Sequence, residues 1–207
     1  MITLSNAVPH TMQAGITQLS KIDALENVTL SDMSITYALN GTPDHYNFDN
    51  TLQDYLHTSA IYLEGTKGAI LEDIALTNVA SHGFDLRSSI NLDADHLSVD
   101  GSFNKGKMGN GYGIMLYDTH FSELTNLELL NVRHSFLFSS WHSETNNAVH
   151  IAAMNRDVNF HGSVDRFNTI MIDEAHLDYM PELIQGPEAG VWVVVNPGCT
   201  KHPFTNI

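Results

Sequence analysis

Short apolar alternations recur along this chain, mostly directly after an Asn or Asp, and their spacing constrains the fold more than any other feature. They are Asn27-Val28-Thr29-Leu30, Asp73-Ile74-Ala75-Leu76, His96-Leu97-Ser98-Val99, Asn126-Leu127-Glu128-Leu129, Asn147-Ala148-Val149 and Asn168-Thr169-Ile170. With Val28, Ile74, Leu97, Leu127, Val149 and Ile170 as equivalents, the repeat is about 21 to 30 residues, the first interval holding two periods. Two-residue alternation marks strands, and helical periodicity is nearly absent. A second set, Ile61-Tyr62-Leu63, Phe84-Asp85-Leu86, Ile114-Met115-Leu116 and Phe136-Leu137-Phe138, falls between members of the first.

Two or three strands per turn of chain, separated by Gly, Asn, Asp and Ser corners, predict an all-β fold. The form expected is a right-handed parallel β-helix with inward Ile, Leu, Val and Phe in stacked columns. An antiparallel sandwich also has many short strands, but nothing in it holds a fixed period. Residues 38–58 break the repeat and read as a loop inserted between rungs. The repeat stops near residue 178, so 1–178 is the expected β-helix and 179–207 a cap or an intersubunit extension that covers an open end.

Composition narrows the partners. The 207 residues carry 24 acids against 9 Lys and Arg, a net charge of -15, with 43% hydrophobic and 16% charged residues. That is enough apolar material for a core and too little charge for a disordered acidic chain. Sequence-independent nucleic-acid binding needs Lys and Arg on phosphates, so nucleic acid and an anionic membrane surface are excluded as partners. Cys199 is the single cysteine, so no internal disulfide forms. The first residues lack the basic start and apolar run of a signal peptide, and no stretch is long and apolar enough for a membrane span.

Histidine is in excess, with twelve in the chain. Aligned by the repeat, His82-Gly83-Phe84, Asn110-Gly111-Tyr112, His134-Ser135-Phe136 and His161-Gly162-Ser163 become equivalent corners. In a parallel stack such positions lie about 4.8 Å apart, so His82, Asn110, His134 and His161 are expected in one polar column. Asp85, Arg87, Arg133, Asp157, Asn159, Asp165, Arg166 and Asn168 are expected along the same edge. Polar ladders also occur at corners for purely structural reasons, and that reading is the stronger one for Asn110 alone. For Arg133-His134 with Asp157, Asn159 and His161, function is the stronger reading. Zinc is not expected, because no HxH or HxxxH pair occurs. Trp141, in the loop 139–147 with His142 and Glu144, is a candidate sugar platform or a lid on the core. Six of the nine basic residues (Arg87, Lys105, Lys107, Arg133, Arg156 and Arg166) fall between 87 and 166. A less negative groove on an acidic body can still accept a carboxylated sugar chain.

The run His82-Gly83-Phe84-Asp85-Leu86-Arg87, followed later by Arg133-His134-Ser135-Phe136, resembles the catalytic modules of mannuronan C5-epimerases. Those modules carry a Tyr-Gly-Phe-Asp-Pro-His run and a later Arg-His-Gly-Phe. Arg133-His134 followed by Asp157-Val158-Asn159-Phe160-His161 is also similar to β-helical phage tail-spike proteins of the pectate-lyase superfamily. The resemblance covers about residues 60–175; Tyr is replaced by His82 and Pro-His by Leu86-Arg87. It implies an acidic polysaccharide as substrate, with proton abstraction beside the uronate carboxylate, as in an epimerase or a lyase. His134 would be the base or acid, Arg133 would neutralise the developing enolate, Asp85 would orient a partner, and His82 or His161 would be the second proton carrier. Asp157 and His161 complete the expected catalytic set. His82, Arg87, Asn110, Trp141, Asn159, Arg166 and Asn168 form the expected substrate-binding set. No cofactor is implied; calcium is compatible with the chain, but no residue set calls for it. The alternative expectation is a phage tail-spike or surface-fibre module that binds glycan or only provides structure, as a homotrimer. Either expectation places the protein outside the cell or on a virion.

Overall fold

The computed structural model describes residues 23–39, 41–139, 143–160 and 165–176. Trp141, His161 and the segment 179–207 therefore lie outside the described residues. In chain order the strands are β1 (Leu25–Glu26), β2 (Thr29–Thr36), β3 (Ser59–Glu64), β4 (Thr66–Lys67), β5 (Ile70–Val79), β6 (His82–Arg87), β7 (Asp93–Ser102), β8 (Tyr112–Tyr117), β9 (Glu123–Leu130), β10 (His134–Phe138), β11 (Ala148–Met154), β12 (Val158–Phe160) and β13 (Thr169–Ala175). No α-helix occurs among the described residues, only one 3-10 turn at Gln53–Tyr55.

The fold is all-β, with parallel sheets. One sheet has six strands in the order β13-β11-β9-β7-β5-β2, a second has five in the order β12-β10-β8-β6-β3, and β1 and β4 pair in a third, two-stranded sheet. From β5 onward the chain alternates between the first two, so each strand pairs with those one pass before and after it. A third line of contact is made by single parallel bridges, Lys67 to Ile90, Ile90 to His120, His120 to Thr145 and Thr145 to Arg166.

Parallel register puts like on like. Ile61, Phe84, Ile114, Phe136 and Val158 form one inward column, and Leu63, Leu86, Leu116, Phe138 and Phe160 a second. Opposite them stand Leu71, Ala94 and Leu124, then Leu76, Val99 and Leu129. These residues make one buried cluster, with Leu63 and Phe160 partly buried against it. Each fully buried Leu, Ile or Phe contributes about 1.5–3 kcal/mol.

The chain turns at left-handed residues. Gly68, Asn91, Phe121, Asn146 and Phe167 all have positive φ, and each directly follows a bridge residue of the third contact line. Gly and Asn adopt this conformation at low cost. A second left-handed series, Asp32, Asp73, His96 and Asn126, bends β2, β5, β7 and β9 just before an inward residue. This is the physical meaning of Asp73 and Asn126 ahead of their alternations; Asn147 and Asn168 do not have positive φ and are instead hydrogen-bonded to each other at a corner.

Register also corrects the predicted equivalents. Ile74 stands opposite Leu97 and Val149 opposite Ile170, but Met33 rather than Val28 faces Ile74, and Ile151 rather than Val149 faces Leu127. The shift arises because β9 carries the left-handed Asn126 between Leu124 and Leu127, whereas β11 has no such residue between Val149 and Ile151.

Residues 41–58 lie against 102–111. Asn50 bridges Asn104 antiparallel, Leu52 N–H donates to Asn104 Oδ1 at 2.8 Å and Asn104 Nδ2 returns a bond to Leu52 O at 2.8 Å. Two buried cations pin this lobe through backbone carbonyls. Lys105 Nζ donates to Ser102 O (2.6 Å) and Asp44 O (2.9 Å), and Arg156 donates to His45 O (3.0 Å) while lying over the Phe48 ring. Burial, then the Arg156 charge, lowers the Lys105 ammonium to about 8, against the pull of Asp44.

Where the chain enters the five-stranded sheet, small residues are required. A Cβ on Gly83 would sit 2.5 Å from Gly113 O, and one on Gly113 would sit 2.5 Å from Ser135 O. Gly113→Ala is expected to lower stability by about 2 kcal/mol or more. Gly68→Asn, at a left-handed position with open space around it, is expected to change it by less than about 0.5 kcal/mol. Urea unfolding of the two variants checks this contrast.

Candidate functional site

The glycine approach orients the ring column. Because Gly83, Gly113 and Ser135 turn inward, the residues before them, His82, Tyr112 and His134, turn outward on successive passes. His82 and Tyr112 are stacked at 5.1 Å between ring centroids, and Tyr112 and His134 at 5.6 Å. His57, from the lobe, adds a fourth ring 6.3 Å from His82. The predicted column thus contains His82 and His134, with one correction: Tyr112, not Asn110, is the intervening member, since Tyr112 is in register with His134. On the last pass Phe136 pairs with Val158, which sets Asp157 opposite Ser135, and it is the Asp157 side chain that reaches His134; His161, the expected fourth member, lies outside the described residues.

His134 and Asp157 form a close polar pair on this face. His134 Nδ1 is 2.7 Å from Asp157 Oδ1. A carboxylate there fixes the tautomer with the proton on Nδ1 and leaves Nε2 with a lone pair. Asn159 Nδ2 lies 3.3 Å from each ring nitrogen. Arg133 donates through Nη1 to Gly106 O at 2.9 Å, while its Nε–H is buried without a hydrogen-bond partner. Burial raises the Tyr112 phenol, with Arg133 pulling it down and Asp157 pushing it up, so Tyr112 keeps its proton near neutrality. Tyr112, Arg133, His134 and Asp157 are therefore a proton donor, a cation, a base and its orienting carboxylate on one patch.

His82 is unlike His134. It is 2% exposed, and its Nδ1 accepts the Tyr112 N–H at 3.3 Å. Burial first, then the His57 and Arg87 charges, push it down to about 3. It remains a neutral spacer, unsuited to carry a proton at neutral pH.

Asp85 and Arg87 occupy the other border of the face. Arg87 Nε and Nη2 both donate to the Asp85 carboxylate at 2.7 Å, which raises the Arg87 guanidinium further. The register separates Asp85 from Asn159 by Met115 and Leu137, which pack with Tyr112 in a small cluster.

Three other predicted residues sit in the framework. Asn110 is fully buried, and its Oδ1 accepts from His57 N (2.8 Å) and Ser81 Oγ (2.9 Å). Asn168 is buried in a corner ladder, accepting from Asn147 N and Nδ2 at 3.0 Å and donating to Glu144 O at 2.8 Å. Arg166 belongs to the same corner through its bridge to Thr145. Glu144 is buried, with Asp118 N donating to Oε1 and its own N–H donating to Asp165 Oδ1. Burial and then the Asp165 carboxylate raise it well above the carboxylate range. Among the described residues no group of His, Cys, Asp and Glu is arranged to hold a metal ion. Tyr112 and His57 are site residues absent from the sequence expectation; Tyr112 was accessible from it, because Tyr112-Gly113-Ile114 is the true counterpart of His82-Gly83-Phe84.

No protein-family model, curated protein or solved structure matches this chain.

Two of the shifted groups, His82 and Glu144, act on stability with opposite sign. An unfolded imidazole takes up its proton near pH 6.5, whereas folded His82 does so only at about 3. Its contribution is present above that unfolded value and is lost as pH falls toward 3. Glu144 stays protonated in the fold, so its contribution is complete below the ordinary carboxylate value and declines as pH rises above it. The ring protons of His82 are expected to hold their NMR shifts from about pH 8 to about pH 5; a titration midpoint near neutrality would contradict the burial argument.

Proposed function

We propose that the chain is a right-handed parallel β-helix of the pectate-lyase type, and that its ring-column face abstracts a proton beside the carboxylate of a uronate in an acidic polysaccharide. The alternation of strands between two parallel sheets, with a third line of parallel bridges, supports the fold reading. The observation that carries the functional reading is the 2.7 Å pair of His134 and Asp157 beside Tyr112 and the unpartnered Arg133 Nε–H. His134 Nε2 takes the proton, Asp157 steadies the imidazolium that forms, and Arg133 offsets charge developing on the carboxylate. Tyr112 supplies a proton, to the opposite face of the carbanion in an epimerisation or to the departing glycosidic oxygen in an elimination. The starting abstraction is the same in both.

A second reading has its own support. His134 and Tyr112 are each 9% exposed, which suits a ring ladder that braces a glycan-binding or structural module of a phage tail spike or surface fibre, assembled as a homotrimer. Both readings place the protein outside the cell or on a virion.

Incubation with polymannuronate and polygalacturonate distinguishes them. Ultraviolet absorbance reports unsaturated ends and proton NMR reports inverted C5 centres. Under the catalytic reading His134→Ala, Asp157→Asn and Tyr112→Phe each slow turnover about 100-fold or more, with thermal midpoints close to that of the parent. No turnover of either polymer, with glycan binding indifferent to His134→Ala, would leave only the second reading.

A further inference from the structure

The opposite border of the same sheet face holds an aromatic residue that is exposed and yet immobilised. Tyr62, on β3, is 52% exposed. Its hydroxyl donates to Glu64, and its ring carries the Arg87 guanidinium 5.3 Å from the centroid. Arg87 is itself fixed, by two 2.7 Å bonds to Asp85 and by the Tyr117 ring on the next pass, 4.7 Å away. Ser59 Oγ also donates to Asp85 Oδ2 at 3.4 Å.

An exposed aromatic ring normally loses rotamer freedom when something binds to it. Here that cost has been met within the fold, which is the condition under which Tyr contributes most to recognition. Charge then selects the ligand. Glu64 and Asp85 outnumber Arg87, and Arg87 spends two of its donors on Asp85, so the patch repels a carboxylate. The ring face turned away from Arg87, beside the Glu64 carboxylate, suits the C–H face and hydroxyls of an uncharged pyranose.

We propose that Tyr62, with Glu64 and Arg87, is a second carbohydrate site that takes neutral sugar residues. His82 and Arg87 mark the two ends of β6, which at about 3.3 Å per residue are roughly 16 Å apart, a span of several sugar units. Resting on the uronate reading for the His134 end, the inference makes the substrate a mixed chain carrying neutral sugars beside its uronates.

Calorimetric titration of the whole protein with linear hexasaccharides tests it. The neutral probes are glucose, galactose and mannose hexasaccharides, and the acidic probe is a mannuronate hexasaccharide. At least one neutral probe is expected to bind, and Tyr62→Ala to weaken it tenfold or more. Tyr62→Phe, which keeps the ring, retains most of the affinity, and His134→Ala leaves it within about twofold. Mannuronate affinity is unchanged by Tyr62→Ala. The proposal is overturned if no neutral probe binds, if Tyr62→Ala binds like the parent, or if the mannuronate probe is the one lost. Uronate turnover is read separately, so the catalytic reading and the Tyr62 site can each fail alone.

Discussion

Parallel register between successive passes is the constraint on which the rest of the molecule depends. Side chains alternate sides along a strand, so a slip of one residue would turn the inward columns through Phe84, Ile114 and Phe136 out to solvent. The register is held by apolar columns that match in position and by small residues where the passes come closest. At Gly83 and Gly113 the neighbouring carbonyl stands where a Cβ would be. The same close approach turns the preceding side chains outward. His82, Tyr112 and His134 share a face for the reason that the core beneath them is in register.

Much of the polar chemistry of the chain is spent on holding this arrangement. Asn147 donates both its backbone N–H and its Nδ2 to Asn168 Oδ1 at one corner, and Asn110 accepts from two segments at another. Lys105 and Arg156 are buried against carbonyls of the lobe that packs beside the ring column. Leaving such groups unpaired in the interior costs more than pairing them gains, so a corner in a stack of parallel strands collects polar residues without any ligand. The Asp157 and His134 pair differs in kind. It lies on the outer face, and the Arg133 beside it keeps a buried donor with no partner.

The all-β character and the repeat were legible because they follow from local rules: two-residue alternation, and Asn or Asp where the backbone must adopt positive φ. Asp32, Asp73 and Asn126 obey the second rule, while His96 takes the same conformation without being Asn or Asp. What was not legible was the alignment of corners. Asn110-Gly111 and Tyr112-Gly113 are both polar-then-glycine steps, and only the packing of Gly113 against Ser135 selects the second for the column. In the same way, the extra left-handed residue in β9 displaces Val149 from the predicted equivalence with Leu127.

The sequence by itself determined an acidic, strand-rich chain with a repeat of about 21 to 30 residues, and its residue types at His82, Asp85, Arg133, His134 and Asp157 nominated an outer face. The tertiary structure alone decided which of those residues act together. It joined His134 to Asp157, bound Arg87 to Asp85 at the far border, and removed Asn110 and Asn168 into the framework. The physical reason is that alternation and turn propensity are carried by neighbours in the chain. Partnership among side chains on adjacent passes depends on a register that is set by steric fit across strands far apart in sequence.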